Sequence, residues 1–548
     1  MEDSQHPRRR THSSNGSQGQ ITSPNSTTPP DNSSEKPKDV ATGFTDIYGA
    51  LSPRRAGIIS IGSAIGTGLI VGSGRTLAMG GVAAMMVSYT LVGFTVFLVL
   101  SALGEVGAWL PKPSTVADQA FRFCDPALGF ALGWIYWLKY AVITPNQLTA
   151  ATLVMELWVD ADRVNPGVWI TLFISIIMAL NYIHHTLPSQ IEFYVSALKL
   201  VVMSGLMILS LVLVLGGGPD HLPHVRGFLY WKYPGVFEDG GGGMMTVFFS
   251  TCGAMSSATF AYIGSERSGI LARSPNVPQV MNRAIKHTFY RILVFHLLGI
   301  TLLGMVLPYD TVDLSFHTLG KGKKRLAASP FVAALLAAGI AALPHILNAC
   351  ILFFVLSIAT YDLYLATKAL SDLALRHRAP IFLSRVNSNG VPVNALVVST
   401  CMSTWAYLNV SKDSRAVFAY LVDLVTMLGL LTWISILITH ICFVRARKAQ
   451  GISDDMLVFK ARFGLPGTWL GLVLCVFISS TMIFNSLSIQ RSQIKFDPTK
   501  FLAGYVGVPI YVMLYVGHKI ALKSKHIDPK DADFWSDKQP DRGPAIEL

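Results

Sequence analysis

Three places in this sequence carry chemistry that an apolar environment does not ask for. The first is Gly62-Ser63-Ala64-Ile65-Gly66-Thr67-Gly68-Leu69-Ile70-Val71-Gly72-Ser73-Gly74, with five glycines in thirteen residues inside a long apolar run. Each glycine costs a helix about 1 kcal/mol relative to alanine. Such a run reads as a helix broken so that bare backbone faces a ligand. The amides freed at a half-helix N-terminus suit a carboxylate, through unpaired N–H groups and the positive end of the helix dipole. A packing reading competes, because Gly62/Gly66 and Gly68/Gly72 each form GxxxG. A nucleotide loop does not, because the third glycine of GxGxxG and the Walker A lysine are both missing.

The second place is Phe260-Ala261-Tyr262-Ile263-Gly264-Ser265-Glu266-Arg267. A carboxylate within a membrane helix costs roughly 2.5–3.5 kcal/mol, so Glu266 needs a partner or a task. Arg267 is adjacent, but neighbours on a helix do not face each other. A buried structural ion pair is the plainer alternative. The third place is a pair of lysines deep in apolar runs. Lys199 is flanked by Ser196-Ala197-Leu198 and Leu200-Val201-Val202. Lys139 lies about 18 Å into its helix at 1.5 Å per residue. A lysine at that depth can exchange a proton or meet an anion. Glu105 and Glu192 lie nearer helix ends, where terminal pairing and a part in coupling or gating both remain open. Asp362 and Asp423 are further polar positions expected to face the interior of a bundle. The histidines form no HxxxH or HExxH, and the six cysteines form no CxxC or Cys/His cluster. No metal, cofactor, disulfide framework or catalytic triad is therefore expected, and the chain does not read as an enzyme.

These residues must be held by elements, and composition says which kind. Of 548 residues, 51% are hydrophobic and only 14% charged, against about 25% charged in soluble domains. The net charge of +12 does not indicate nucleic acid, because the basic residues lie mainly in tails and loops between apolar segments. With about 20 apolar residues needed per crossing, twelve spans emerge, at roughly 56–78, 82–104, 127–158, 167–186, 190–216, 244–270, 288–308, 330–366, 392–409, 416–442, 467–488 and 501–520. The third and eighth are over-long, and Pro145 and Pro344 are expected to break them. The domain plan is a disordered tail over 1–50, a twelve-helix domain over 51–521 and a C-terminal tail over 522–548. An even number of spans puts both tails on one side. Lys36, Lys38, Arg54 and Arg55 before the first span, and Lys523 and Lys525 after the last, place that side in the cytoplasm. Glycine interrupts the first span, and also the sixth at Gly253 and Gly264-Ser265. Paired interruptions in two five-helix halves point to a transport site at an inverted-repeat interface.

The same residues carry a family likeness. The chain resembles the fungal amino acid permeases of the amino acid–polyamine–organocation superfamily. The Gly62–Gly74 run is similar to their first-helix signature, and Phe260-Ala-Tyr-Ile-Gly-Ser-Glu266 to their sixth-helix F-x-Y-x-G-T/S-E. Further likeness runs through Gly129–Trp137, Leu347–Cys350, Gly390-Val-Pro392, Leu430–Trp433, Thr439-His440, Phe496-Asp497 and Gly517-His-Lys519. Leu138-Lys139-Tyr140, Pro344-His345 and Asp362-Leu-Tyr364 look most like the dicarboxylic branch. The chain departs from the pattern at Arg267-Ser268-Gly269, at Arg273–Pro278 and at Thr360-Tyr361-Asp362.

The resemblance implies an all-α, five-plus-five inverted-repeat transporter with broken helices 1 and 6. It implies a plasma-membrane symporter that imports amino acids with a proton by alternating access. The substrate α-carboxylate would rest on Ile65, Gly66, Thr67, Gly68 and Leu69. The α-amino group would meet the carbonyls of Phe260, Ala261, Tyr262 and Ile263, at the break marked by Gly264 and Ser265. Lys139 would favour acidic side chains. Lys199 matches the lysine that stands in for sodium in proton-driven relatives, with Glu266, Glu105 and Glu192 as further coupling or gating groups. The partners implied are the amino acid, the proton, the lipid bilayer and, on the tails, trafficking or ubiquitination machinery. Two alternatives stand beside this: a permease for neutral amino acids or other amines, and a non-transporting amino acid sensor.

Overall fold

The computed structural model describes Gly62 and residues 65–110, 115–159, 162–217, 227–237, 243–267, 289–290, 292–310, 328–411, 414–457, 459–490 and 493–535. The expected tail over 1–50, residues 536–548 and the Arg273–Pro278 departure lie outside the described residues.

In hydrocarbon the backbone must satisfy its own hydrogen bonds, which leaves the helix as the form open to each apolar run. Among the described residues, eight helices are long and apolar enough to cross a membrane. α1 (Thr67–Ile70) is a single turn and α2 (Gly72–Trp109) follows it. Gly81 interrupts α2 with φ 75° and ψ −176°, so 72–80 continues the first expected span and 82–109 forms the second. α3 (Val116–Phe123) is a short link to α4 (Pro126–Met155), then come α5 (Pro166–Ile183) and α6 (Leu187–Val214). α7 (Gly243–Tyr262) is the sixth expected span; a π-helical stretch at Ile292–Leu298 leads into α8 (Gly299–Val306). α9 (Pro330–Ala337), α10 (Leu343–Leu375), α11 (Val393–Ser403), α12 (Ser414–Ala449) and α13 (Gly464–Thr481) follow, and α14 (Pro498–Tyr505) with α15 (Gly507–Leu522) closes the series.

Local sequence explains several starts. Asp125-Pro126 and Asn165-Pro166 each put a capping oxygen before a proline whose missing N–H costs nothing at N1. Asp125 Oδ1 accepts from the Ala127 N–H at 2.8 Å, and Asn165 Oδ1 accepts from Gly167 at 2.8 Å. Thr115 and Asp118 form a reciprocal capping box on α3.

Two expectations need correction. The third span is not broken: α4 runs through Pro145. The Thr144 hydroxyl donates to the Tyr140 carbonyl and the Thr149 hydroxyl to the Pro145 carbonyl, the kind of side-chain support that lets membrane helices tolerate proline. Nor is α7 broken at Gly253. A Cβ there would meet Met79 Cε at 2.9 Å and Asn485 Oδ1 at 3.0 Å, so this glycine serves packing. The all-α architecture carries one small addition. Leu487–Gln490 and Gln493–Phe496 pair antiparallel as a short hairpin, where apolar and polar residues alternate with period two. By contrast, the eighth span does divide just before Pro344, between α9 and α10, with Gly339 at φ 74°.

The described segment after α15 packs against the bundle. Phe534 is 1% exposed and sits among Trp109, Phe123 and Phe443, with ring centroids 5.8, 5.1 and 5.5 Å away. Arg122 pairs with Asp533 at 2.7 Å, and the Gln450 amide donates to the Ala532 carbonyl at 2.7 Å. Replacing Phe534 with alanine should cost the docked segment about 3 kcal/mol, at the low end for a buried Phe→Ala change. Limited trypsin digestion should then cut at Lys523, Lys525 or Lys530 roughly 100-fold faster; an unchanged rate would mean that the ring does not hold the segment.

Candidate functional site

The first span is broken where the glycines demanded it. Gly66 has extended backbone, φ −114° and ψ −169°. The N–H groups of Leu69 and Ile70 both turn back to its carbonyl at 3.1 Å. A Cβ on Gly68 would lie 2.4 Å from Ala261 Cα, so the two broken segments touch backbone to backbone. No other residue type permits that approach.

The sixth span ends in the same plane of contact. The Ile263 N–H is shared between the carbonyls of Thr259 and Phe260, each at 3.2 Å, and Gly264 turns into the left-handed region at φ 91°. Glu266 then folds back on this turn. Its Oε2 accepts from the Gly264 N–H at 3.1 Å and from the Trp433 indole at 3.2 Å. Its Oε1 binds the Lys139 ammonium, with the Tyr140 hydroxyl at 3.4 Å. Both members of the Lys139–Glu266 pair are wholly buried, and the ammonium also lies 4.3 Å from the Tyr136 ring centre. Arg267 points away from Glu266, as neighbours on a helical turn must. It binds Asp362 and donates to the Tyr140 hydroxyl at 3.2 Å.

A small cavity lies between these elements. It is lined by Gly66, Thr67 and Gly68 on one side and by Phe260 and Ala261 on the other, with Ile143, Gln147, Ile263, Ile358, Arg267 and Asp362 around it. The space left is about 20 Å³, room for a water and too little for an amino acid, so the walls meet across the site in this conformation. A polar chain crosses it. The Thr67 hydroxyl donates to Gln147 Oε1 at 2.8 Å, and Gln147 Nε2 donates to Asp362 Oδ2 at 3.3 Å.

Of the residues expected to bind substrate, Gly66, Thr67, Gly68, Phe260, Ala261 and Ile263 line the cavity. Ile65 and Leu69 are buried behind it. Tyr262 faces away, stacked on His296 and donating to the Tyr89 carbonyl at 3.0 Å. Gly264 and Ser265 form the turn; the Ser265 hydroxyl donates to the Tyr262 carbonyl at 2.7 Å. Lys139 does not reach the cavity. Its charge is taken by Glu266, so the cation that faces the cavity is Arg267, which the sequence marked only as a departure. Gln147, Ile143 and Ile358 were missed. A signal existed, since Ile143/Gln147 and Ile358/Asp362 are each i,i+4 pairs that put a polar group beside an apolar one on a helix face.

The other expected coupling groups form separate clusters. Lys199 Nζ meets Glu192 Oε1 at 2.8 Å, and the hydroxyls of Ser196 and Ser357 donate to the same carboxylate at 3.1 and 2.7 Å. A Cβ on Gly62 would fall 2.3 Å from Ser196 Cβ, so α6 presses this cluster against the approach to the first break. Glu105 accepts from the Ala461 N–H at 2.7 Å and lies 3.4 Å from His440 Nε2. Asp423 lies 3.5 Å from Arg75 and accepts from Ser256 and Asn485 at 2.9 and 3.1 Å.

Comparison with known proteins finds related sequences over most of the chain. The amino acid permease family model matches residues 56–528. The chain is 40% identical to the dicarboxylic amino acid permease of Saccharomyces cerevisiae, over 89% of this chain and 80% of that one. It is 34% identical to the proline-specific permease of the same yeast, over 86% and 75%. It is 32% identical to the cationic amino acid transporter 1 of Schizosaccharomyces pombe, over 89% and 81%. With two broken helices meeting at a lined cavity, and with a family match over most of its length, the chain belongs to the amino acid permease family and is a membrane-embedded amino acid transporter.

Proposed function

We propose that this chain is a proton-coupled symporter that imports amino acids across the plasma membrane by alternating access, with both termini cytoplasmic and with a preference for acidic amino acids. The observation that carries the reading is the cavity where backbone from both breaks meets the Arg267–Asp362 pair. The first-turn N–H groups of α1 and the Thr67 hydroxyl receive the α-carboxylate. The carbonyls at the end of α7 receive the α-amino group. These groups bind what every amino acid shares.

Side-chain selection falls to Arg267. A guanidinium holds carboxylates in a fork of fixed geometry, and an acidic substrate side chain can exchange with Asp362 on it. Lys139 acts behind the site by holding Glu266, which in turn holds the α7 break. The dicarboxylic name of one relative favours the same substrate class. Proton coupling is assigned to the buried Lys199–Glu192 pair, because α6 bears directly on the segment before the α1 break.

Three outcomes are expected from labelled uptake in cells without their own permeases. The Gly68→Ala protein should reach the membrane yet lose about 10-fold or more in kcat/KM for every substrate, since its methyl would separate the two breaks. An Arg267→Gln/Asp362→Asn double variant removes both charges and so avoids a buried unpaired ion. It should lose preference for glutamate over leucine by roughly 10-fold, about 1.4 kcal/mol; retained preference would remove Arg267 from selection. A Lys199→Met/Glu192→Gln variant should take up substrate without the rise at acidic external pH expected of the parent, and a pH profile equal to the parent's would remove this pair from coupling.

A further inference from the structure

Two cysteines separated by 318 residues in sequence meet at the docking end of the chain, with Cys124 Sγ and Cys442 Sγ 3.0 Å apart. We infer that Cys124 and Cys442 are a redox-active dithiol whose oxidation to a disulfide fastens the α3–α4 elbow to α12. The lock on transport rests on the function proposed above; the thiol chemistry does not.

The geometry meets the needs of that chemistry. A disulfide requires the sulfurs to close to about 2.05 Å, a small movement from where they stand. Both cysteines line a cavity of about 370 Å³ whose apolar wall includes Leu128, Leu431 and Ile434. A small hydroperoxide can enter such a space. The two thiols differ in character. Cys124 is 5% exposed, and contact with the Cys442 thiol, then burial, push its pKa up. Cys442 is only partly buried and shares the cavity with Arg445. A nearby cation favours thiolate and hence attack. Asp125, the one carboxylate lining the cavity, is already held by Lys519 at 2.6 Å and by the Tyr515 hydroxyl at 3.2 Å. Among the described residues no other cysteine pair is in contact.

The step balances with a hydroperoxide as oxidant. The Cys442 thiolate attacks the O–O bond, giving a sulfenic acid and, after protonation, an alcohol or water. The Cys124 thiol then attacks that sulfur and water leaves. Two thiols and one hydroperoxide become one disulfide, one alcohol (or water) and one water.

The link would form at a consequential place. The Cys124 carbonyl accepts from the Ile527 N–H at 3.0 Å, so the docked C-terminal segment rests on the same elbow. α12 carries Trp433 to Glu266 and Asp423 to Arg75. A bond at Cys442 therefore fastens the helix that touches the site and the far ion pair.

Hydrogen peroxide applied to the full-length protein in proteoliposomes tests both parts. Peptide mass mapping should show a Cys124–Cys442 linked pair, lost on dithiothreitol treatment and absent from Cys124→Ser and Cys442→Ser proteins. Glutamate uptake should fall at least 10-fold on oxidation, recover with dithiothreitol, and stay unaffected in the double serine variant. Failure to find the linked peptide at peroxide levels that fully oxidise a soluble peptide thiol added to the same vesicles would overturn the dithiol. A linked peptide with undiminished uptake, or equal loss in the double serine variant, would overturn the lock. Absence of uptake before oxidation in every protein would count against the transport reading, and the mass map would still decide the dithiol.

Discussion

The structure depends on one buried carboxylate. Glu266 accepts the backbone N–H that the α7 break leaves free, and it does so in a medium without water. A charge placed there must itself be balanced, and Lys139 and the Trp433 indole do this from α4 and α12. One group thus closes a helix end and ties three helices together. Removing a single partner would leave the other charge buried and unpaired, at a cost of about 3–5 kcal/mol.

From that arrangement a division of labour follows. The Lys139–Glu266 pair is wholly enclosed and takes no part in lining the cavity. The Arg267–Asp362 pair is its neighbour through Tyr140, which contacts both, yet it faces the space between the breaks. The first pair is sealed inside the protein, and the second stands at the cavity wall. Lys199–Glu192 and Arg75–Asp423 repeat the theme of paired ions, each beside a different face of the broken first span. Every one of these charges would be costly alone, which is why each is found with a partner of opposite sign.

Much of this was legible from residue types. Five glycines in a membrane run announced a break, and Glu266 after Gly264 announced another, because both violate what hydrocarbon tolerates. The depth of Lys139 and Lys199 was readable by counting residues. Their partners were not, because pairing depends on which helix faces each stretch. Lys139 finds Glu266 127 positions away and Arg267 finds Asp362 95 positions away, so neither partner leaves a mark in the local stretch. Proline and glycine misled where tertiary contacts override local preference. Pro145 sits in a helix supported by threonine hydroxyls, and Gly253 is small because Met79 and Asn485 are close. The docking of Phe534 had no local signal, since its pocket is assembled from residues more than 90 positions away.

The contact between Gly68 and Ala261 has a consequence for how such a molecule can change over time. At this point the contact between the two breaks is made by main chain, and main chain is the part of a protein that substitution cannot re-letter. The meeting point of the two breaks is thereby removed from most mutational trial. Variation is channelled to Ile143, Gln147, Ile358, Arg267 and Asp362, which surround the backbone without forming it. A scaffold organised in this way can change the side chains around the cavity one residue at a time while the approach of its two breaks stays fixed.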